Sequence, residues 1–275
     1  MSYASIMVHV QTSPEAQARL RTARALAQSF DAVLIGVGVE MVPPLAIGAG
    51  AGAVQADWYA AVSSSIEENL KLAETMFWDA ASGLAKGAIW KRGLAFPKEA
   101  LAATARSADL VVADRGPKNH KSDYRDAGAA ELAVALGRPL LFNPEGAPEF
   151  TGKKMLLAWK DSREARRAMS DAMPFFKRAE AVLVAEVCHG YEEADALARV
   201  EDVVTALKRH GVAAEGRAVV HSGAPTHEIL RQANLFGADL VVAGAYGHTR
   251  LGEWLFGGVT QDLLEQKDHY VLLSH

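Results

Sequence analysis

The segment GAYGHTRLGEWLFGGVTQDLL, residues 244 to 264, places Gly244, Gly247, Gly257 and Gly258 directly after the apolar run ADLVVA (238–243). Glycine weakens a regular element, so this density gives the backbone a task of its own. Two tasks fit. One is tight turning and close packing. The other is anion binding: Gly244 and Gly247 allow close main-chain approach to a ligand, and Gly257 and Gly258 open a helix whose first amides are unpaired and partly positive. Two glycine pairs on either side of an excursion can form one nest of N–H groups. Within the excursion, His248 and Arg250 are either phosphate contacts or solvated loop residues, and we expect at least one to meet phosphate. Val259 and Thr260 follow in the first helical turn, where the Thr260 hydroxyl either meets the phosphate or faces solvent.

Such a loop needs a strand before it and a helix after it, and the chain supplies both twice. IMVHVQTSPEA (6–16) lies over MLLAWKDSREA (155–165) at an offset of 149, with Ser13 on Ser162, Glu15 on Glu164 and Ala16 on Ala165. ADLVVA at 108–113 recurs identically at 238–243, now at an offset of 130. The first copy is therefore longer between these landmarks, and we expect the surplus around a loop at 41 to 57. NPEGAPEFTGKK (143–154) reads as the joint, giving domains at 1–147 and 152–275. In the second copy, strands are expected at 154–159, 181–187, 215–221, 238–244 and 270–274. Helices are expected through 161–179, 192–210 and 226–236, and from about 258. Thr12 with Glu15 and Asp161 with Glu164 have capping-box spacing. Strands alternating with helices give a parallel sheet covered on both faces. The fold class is α/β, with two Rossmann-like domains, each a five-stranded mostly parallel sheet flanked by helices, paired as a pseudo-two-fold dimer. In such sheets a ligand binds beyond the carboxyl ends of the strands, where the strand order reverses.

With its duplicated architecture and the spacing of Gly244, Gly247 and Gly257, the chain resembles a tandem universal stress protein of the UspA-like superfamily, with an adenine nucleotide alpha hydrolase-like fold. The family's ATP motif is Gly, two residues, Gly, nine residues, Gly, then Ser or Thr. The resemblance implies an ATP-type nucleotide, with Mg2+ as its companion, bound in the second copy at Ala158, Trp159, Lys160, Asp161, Val187, Gly244, Gly247, His248, Arg250, Gly257, Gly258, Val259 and Thr260. It also implies a stress-response sensor or interaction module rather than a dedicated enzyme.

The chain departs from that pattern. Gly258 stands where the family has a hydroxyl residue. Lys160 stands where nucleotide-binding members carry an aspartate, with Asp161 one step later as a displaced ribose ligand or a helix cap; we favour the cap. Lys160 either meets a phosphate as a point charge or is an exposed strand-end lysine. Trp159 and Tyr246 read as packed strand-end aromatics rather than base-stacking ones, and Val187 is equally a core residue or the seat of the adenine. The sequence thus supports a phosphate cradle better than adenosine recognition. In the first copy, Asp114 and Pro117 replace the two leading glycines and Gln11 stands at the Lys160 position. A carboxylate repels phosphate and proline lacks an N–H, so no nucleotide is expected there in the family's manner.

Composition narrows the alternatives. A net charge of −4 without a basic tract argues against nucleic acid. The single cysteine, Cys188, permits no internal disulfide and suits a reducing compartment, so a cytoplasmic location is expected. No stretch of about 18 apolar residues occurs, so no membrane span is expected. His221, His227, His269 and His275 form no compelling metal pattern. Two other readings remain: a weak ATP hydrolase or self-phosphorylating protein, and a fold that binds a small metabolite or protein partner without nucleotide. A homodimer is a further expectation.

Overall fold

A computed structural model describes residues 2–42, 52–115, 128–221, 223–246 and 258–275. Gly247, His248, Arg250, Gly257 and Pro117 lie outside the described residues. The chain divides into two compact units, Ala4–Leu136 and Gly137–His275, the latter with Met1–Tyr3.

The first unit runs β1 (Ser5–His9), α1 (Pro14–Phe30), β2 (Val33–Glu40), α2 (Gly52–Ala81), β3 (Ala88–Leu94), α3 (Pro97–Ala105), β4 (Leu110–Ala113) and α4 (Ala129–Ala135). Its strands are parallel in the order β3-β2-β1-β4. The second unit runs β5 (Leu140–Phe142), β6 (Lys154–Trp159), α5 (Arg163–Asp171), α6 (Met173–Phe176), β7 (Ala181–Cys188), α7 (Glu193–Arg209), β8 (Ala214–Val220), α8 (Pro225–Phe236), β9 (Leu240–Gly244), α9 (Gly258–Glu265) and β10 (Tyr270–Ser274). Here β10-β9-β6-β7-β8 are parallel, and β5 pairs antiparallel with β10, Leu141 opposite Leu272.

The central strands are buried on both faces, which is why their sequences are continuous apolar runs rather than alternating ones. Ile6, Met7 and Val8 of β1 and Leu156 and Leu157 of β6 are fully buried. The duplication extends to register. Val8 lies opposite Val112 and Leu157 opposite Val242, the same two offsets as in the sequence. It extends to polar ties as well. In each ADLVVA run the aspartate holds the chain just before a central strand, β1 or β6: Asp109 accepts the Ala4 amide at 2.8 Å, and Asp239 accepts the Gly152 amide at 2.6 Å.

Three expectations are corrected. The helix caps lie one residue later than expected: Ser13 and Ser162, not Thr12 and Asp161, accept the amides of Ala16 and Ala165 at 3.2 Å. The helix expected over 161–179 is two, α5 and α6. Pro174 has no N–H to continue the ladder, and Ala172 closes one helix and starts the next. Much of the first copy's surplus is helix rather than loop, since α2 has 30 residues against 17 in α7.

Candidate functional site

In the second unit the strand order reverses between β6 and β9, where Ala158 lies opposite Ala243. The chain leaving this point is fixed on two sides. The Ala245 amide donates to the Ser274 carbonyl at 2.8 Å, and a His275 ring nitrogen lies 3.0 Å from the Ala245 carbonyl. The Tyr246 amide meets the Thr260 hydroxyl oxygen at 3.4 Å. Tyr246 itself is left-handed, with φ of 58°, an uncommon conformation for a bulky residue. Burial pushes its phenol up to about 12.

Gly244 is glycine for a spatial reason. A Cβ there would stand 2.6 Å from the Ala165 nitrogen and 2.6 Å from the Glu164 carbonyl carbon. The end of β9 therefore abuts the first turn of α5, and no side chain fits between them. Gly258 is the opposite case, because among the described residues a Cβ there would meet nothing within 4 Å. No described residue packs against the start of α9 at this glycine, and the first amides of a helix are of the kind that attract anions.

The other candidate residues sort by contact. Thr260 is 4 % exposed, with its oxygen directed at Tyr246, so it is not solvent-facing. It ties the loop's departure to its return. Asp161 pairs with Arg166 rather than capping α5. Lys160 is exposed and its carbonyl accepts the Ser162 amide at 2.6 Å. Trp159 and Ala158 are buried, and Val187 and Val259 are half-buried.

Glu164 is a site neighbour that the sequence suggested only as a capping partner. Burial raises its carboxyl, but its own amide, Arg163 and the Ser162 hydroxyl outweigh that and hold it below the ordinary value. The carboxylate is thus ionised and already paired with Arg163 at 2.9 Å. At the same level Glu186 of β7, opposite Trp159, is buried and takes both Nε and Nη2 of Arg199. These residues fit a phosphate group through backbone and helix start. They offer no carboxylate that is visibly held ready for a ribose.

At the corresponding point of the first unit, between β1 and β4, the arrangement is charged. Arg19 of α1 is buried and pairs with Asp114, and its Nη2 donates to Gln11 Oε1 at 2.9 Å. Beside it, burial and Arg19 pull the His9 imidazole down to about 4.

Among the described residues no cluster of three or more His, Cys, Asp or Glu could hold a metal ion, and no helix is long and apolar enough to cross a membrane.

Residues 152–275 match the model of the Universal stress protein family. Along nearly the whole chain the fold is similar to solved structures. A universal stress protein from Archaeoglobus fulgidus DSM 4304 superposes with a TM-score of 0.72 at 14 % identity, over 98 % of this chain and 95 % of that one. A functionally unknown protein from Pseudomonas aeruginosa PAO1 gives 0.60 at 17 % identity, over 99 % and 92 %. At these identities the likeness is one of fold. Among curated protein sequences no relative was found.

Proposed function

Starting from the match of residues 152–275 to the universal stress protein family, we propose that the chain is a tandem member of that family whose second unit binds ATP or a related nucleotide. The polyphosphate would lie beyond β6 and β9, against the amides at the start of α9 and the glycine loop. The observation that carries this reading is the contrast between two glycines. Gly244 admits no side chain because main chain is packed against it, whereas Gly258, at a helix start, has no described residue packed against it. Packing accounts for the first glycine but not for the second.

Each residue then has a task. Thr260 and His275 set the angle at which the loop leaves β9, through Tyr246 and Ala245. Lys160, exposed at the end of β6, adds a positive point charge. Arg163 neutralises Glu164, which removes a carboxylate that would otherwise oppose the phosphates. The nucleotide itself, with Mg2+ as its companion, supplies the signal, and the module passes its bound or free state to a protein partner. A homodimer and a cytoplasmic location belong to the same proposal.

Substitution at Gly258 separates folding from binding. Aspartate at a helix start favours the helix yet repels phosphate. Gly258→Asp should melt at the wild-type temperature or slightly above, and lose the ATP-dependent rise in melting temperature that wild type shows. A Gly258→Asp protein stabilised by ATP as much as wild type would remove the site from this position.

A further inference from the structure

The repeat places Asp114 of the first unit on Gly244 of the second, and Arg19 on Ala168. Where the second unit has two small uncharged residues, the first has an ion pair. Its two members are unequal: the Arg19 side chain is 3 % exposed and that of Asp114 is 42 % exposed. The cation is thus built into the fold and the carboxylate sits at its mouth. Arg19 uses Nη1 for Asp114 and Nη2 for Gln11, while its Nε finds no hydrogen-bond partner among the described residues. Arg115 is a second cation whose charge acts on the same carboxylate. A small cavity opens at this point, lined by His9, Gln11, Leu101, Val112, Asp114 and Leu132. The His9 Nε2 atom beside it is also without a partner among the described residues.

We propose that the first unit contains an anion receptor, centred on Arg19, which Asp114 occupies as a built-in ligand. The carboxylate stands at the first unit's strand-order reversal, at the position that Gly244 holds in the second unit. A buried guanidinium requires an anion, because water cannot reach it to solvate the charge. The chain supplies that anion covalently, so the unit is closed to phosphate from solution. Removing the Asp114 side chain converts it into a site for small oxyanions: formate, acetate or inorganic phosphate. This assignment rests on contacts within the first unit and is independent of nucleotide binding by the second.

The test is chemical rescue. Thermal unfolding is followed for wild type, Asp114→Ala, and Arg19→Met with Asp114→Ala, in sodium formate or phosphate and in sodium chloride of equal ionic strength. Asp114→Ala is expected to melt roughly 10 °C lower, as expected for a stranded buried charge. Formate or phosphate should restore part of that loss saturably, in this variant only. The double variant should melt above Asp114→Ala and show no specific response. Arg115 is present in all three proteins, so the difference isolates Arg19. The proposal is overturned if Asp114→Ala responds to formate and phosphate no more than to chloride, or if the double variant is no more stable than Asp114→Ala. Should Asp114→Ala yield no folded protein, a folded double variant supports the receptor, and an unfolded one overturns it.

Discussion

At the residue scale, Gly258 and His9 make opposite demands on their surroundings. Gly258 has room for a side chain among the described residues, and the family resemblance expects a hydroxyl there. Gly258→Ser should therefore fold normally and bind ATP more tightly, by up to about tenfold for one hydrogen bond to a charged oxygen. Titration calorimetry of the two proteins side by side checks this, and weaker binding by the serine variant would argue against phosphate at that spot. His9 has no such room. It is 7 % exposed, and desolvation and Arg19 hold it neutral against the smaller opposing effects of Asp114 and a hydrogen bond to the Val39 backbone. Its folded value of about 4 lies below the ordinary 6.5. Between these values the unfolded chain binds a proton that the folded chain refuses, so stability rises with pH in that window. The contribution is complete above about pH 6.5 and is lost as the pH falls towards 4, worth roughly 3 kcal/mol in all. Urea unfolding from pH 4 to 7 should show that slope, and His9→Gln should flatten it.

Residues also show where sequence reading stops. The spacing from Ser162 to Ala165 was visible, yet Asp161 with Glu164 fits a cap equally well on paper; only the backbone angles distinguish them. Arg19 reads as one more charge on an amphipathic helix. Its partner lies 95 positions away, and no local pattern joins the two.

At the element scale, the regular pieces follow closely from apolar runs and punctuation. β6 and β10 begin and end where the runs KMLLAW and YVLLS do, because the interior of a strand buried on both faces is a continuous apolar run. The break between α5 and α6 was written in Pro174, although the helical periodicity of Ala165, Ala168, Ala172 and Phe176 continues across it. Contact between elements was not legible. That β9 abuts α5 at Gly244 is a tertiary fact, and it has a consequence for stability. Gly244→Ala must push the first turn of α5 away from the sheet, at a cost of about 1–3 kcal/mol or more. Ser162→Ala, which removes only the cap of the same helix, should cost about 1 kcal/mol. Chemical denaturation of both variants should rank them in that order, and equal losses would show that the glycine serves a turn rather than a close approach.

At the scale of the whole molecule, the repeated runs were the most legible feature, because strand register repeats at the offsets found in the sequence and the aspartate of each ADLVVA run ties down a nearby amide. The divergence of the two copies was legible only as missing glycines. The structure gives it a physical form: one strand-order reversal has an abutting glycine and a helix start with no described residue against its glycine, and the other has an internal ion pair. We propose on this ground that the two units differ in ligand capacity.

Titration calorimetry of the intact, nucleotide-free protein with ATP tests this account most directly. It predicts a single class of site with one nucleotide bound per chain. Absence of heat at millimolar ATP, or two nucleotides bound per chain, would contradict it.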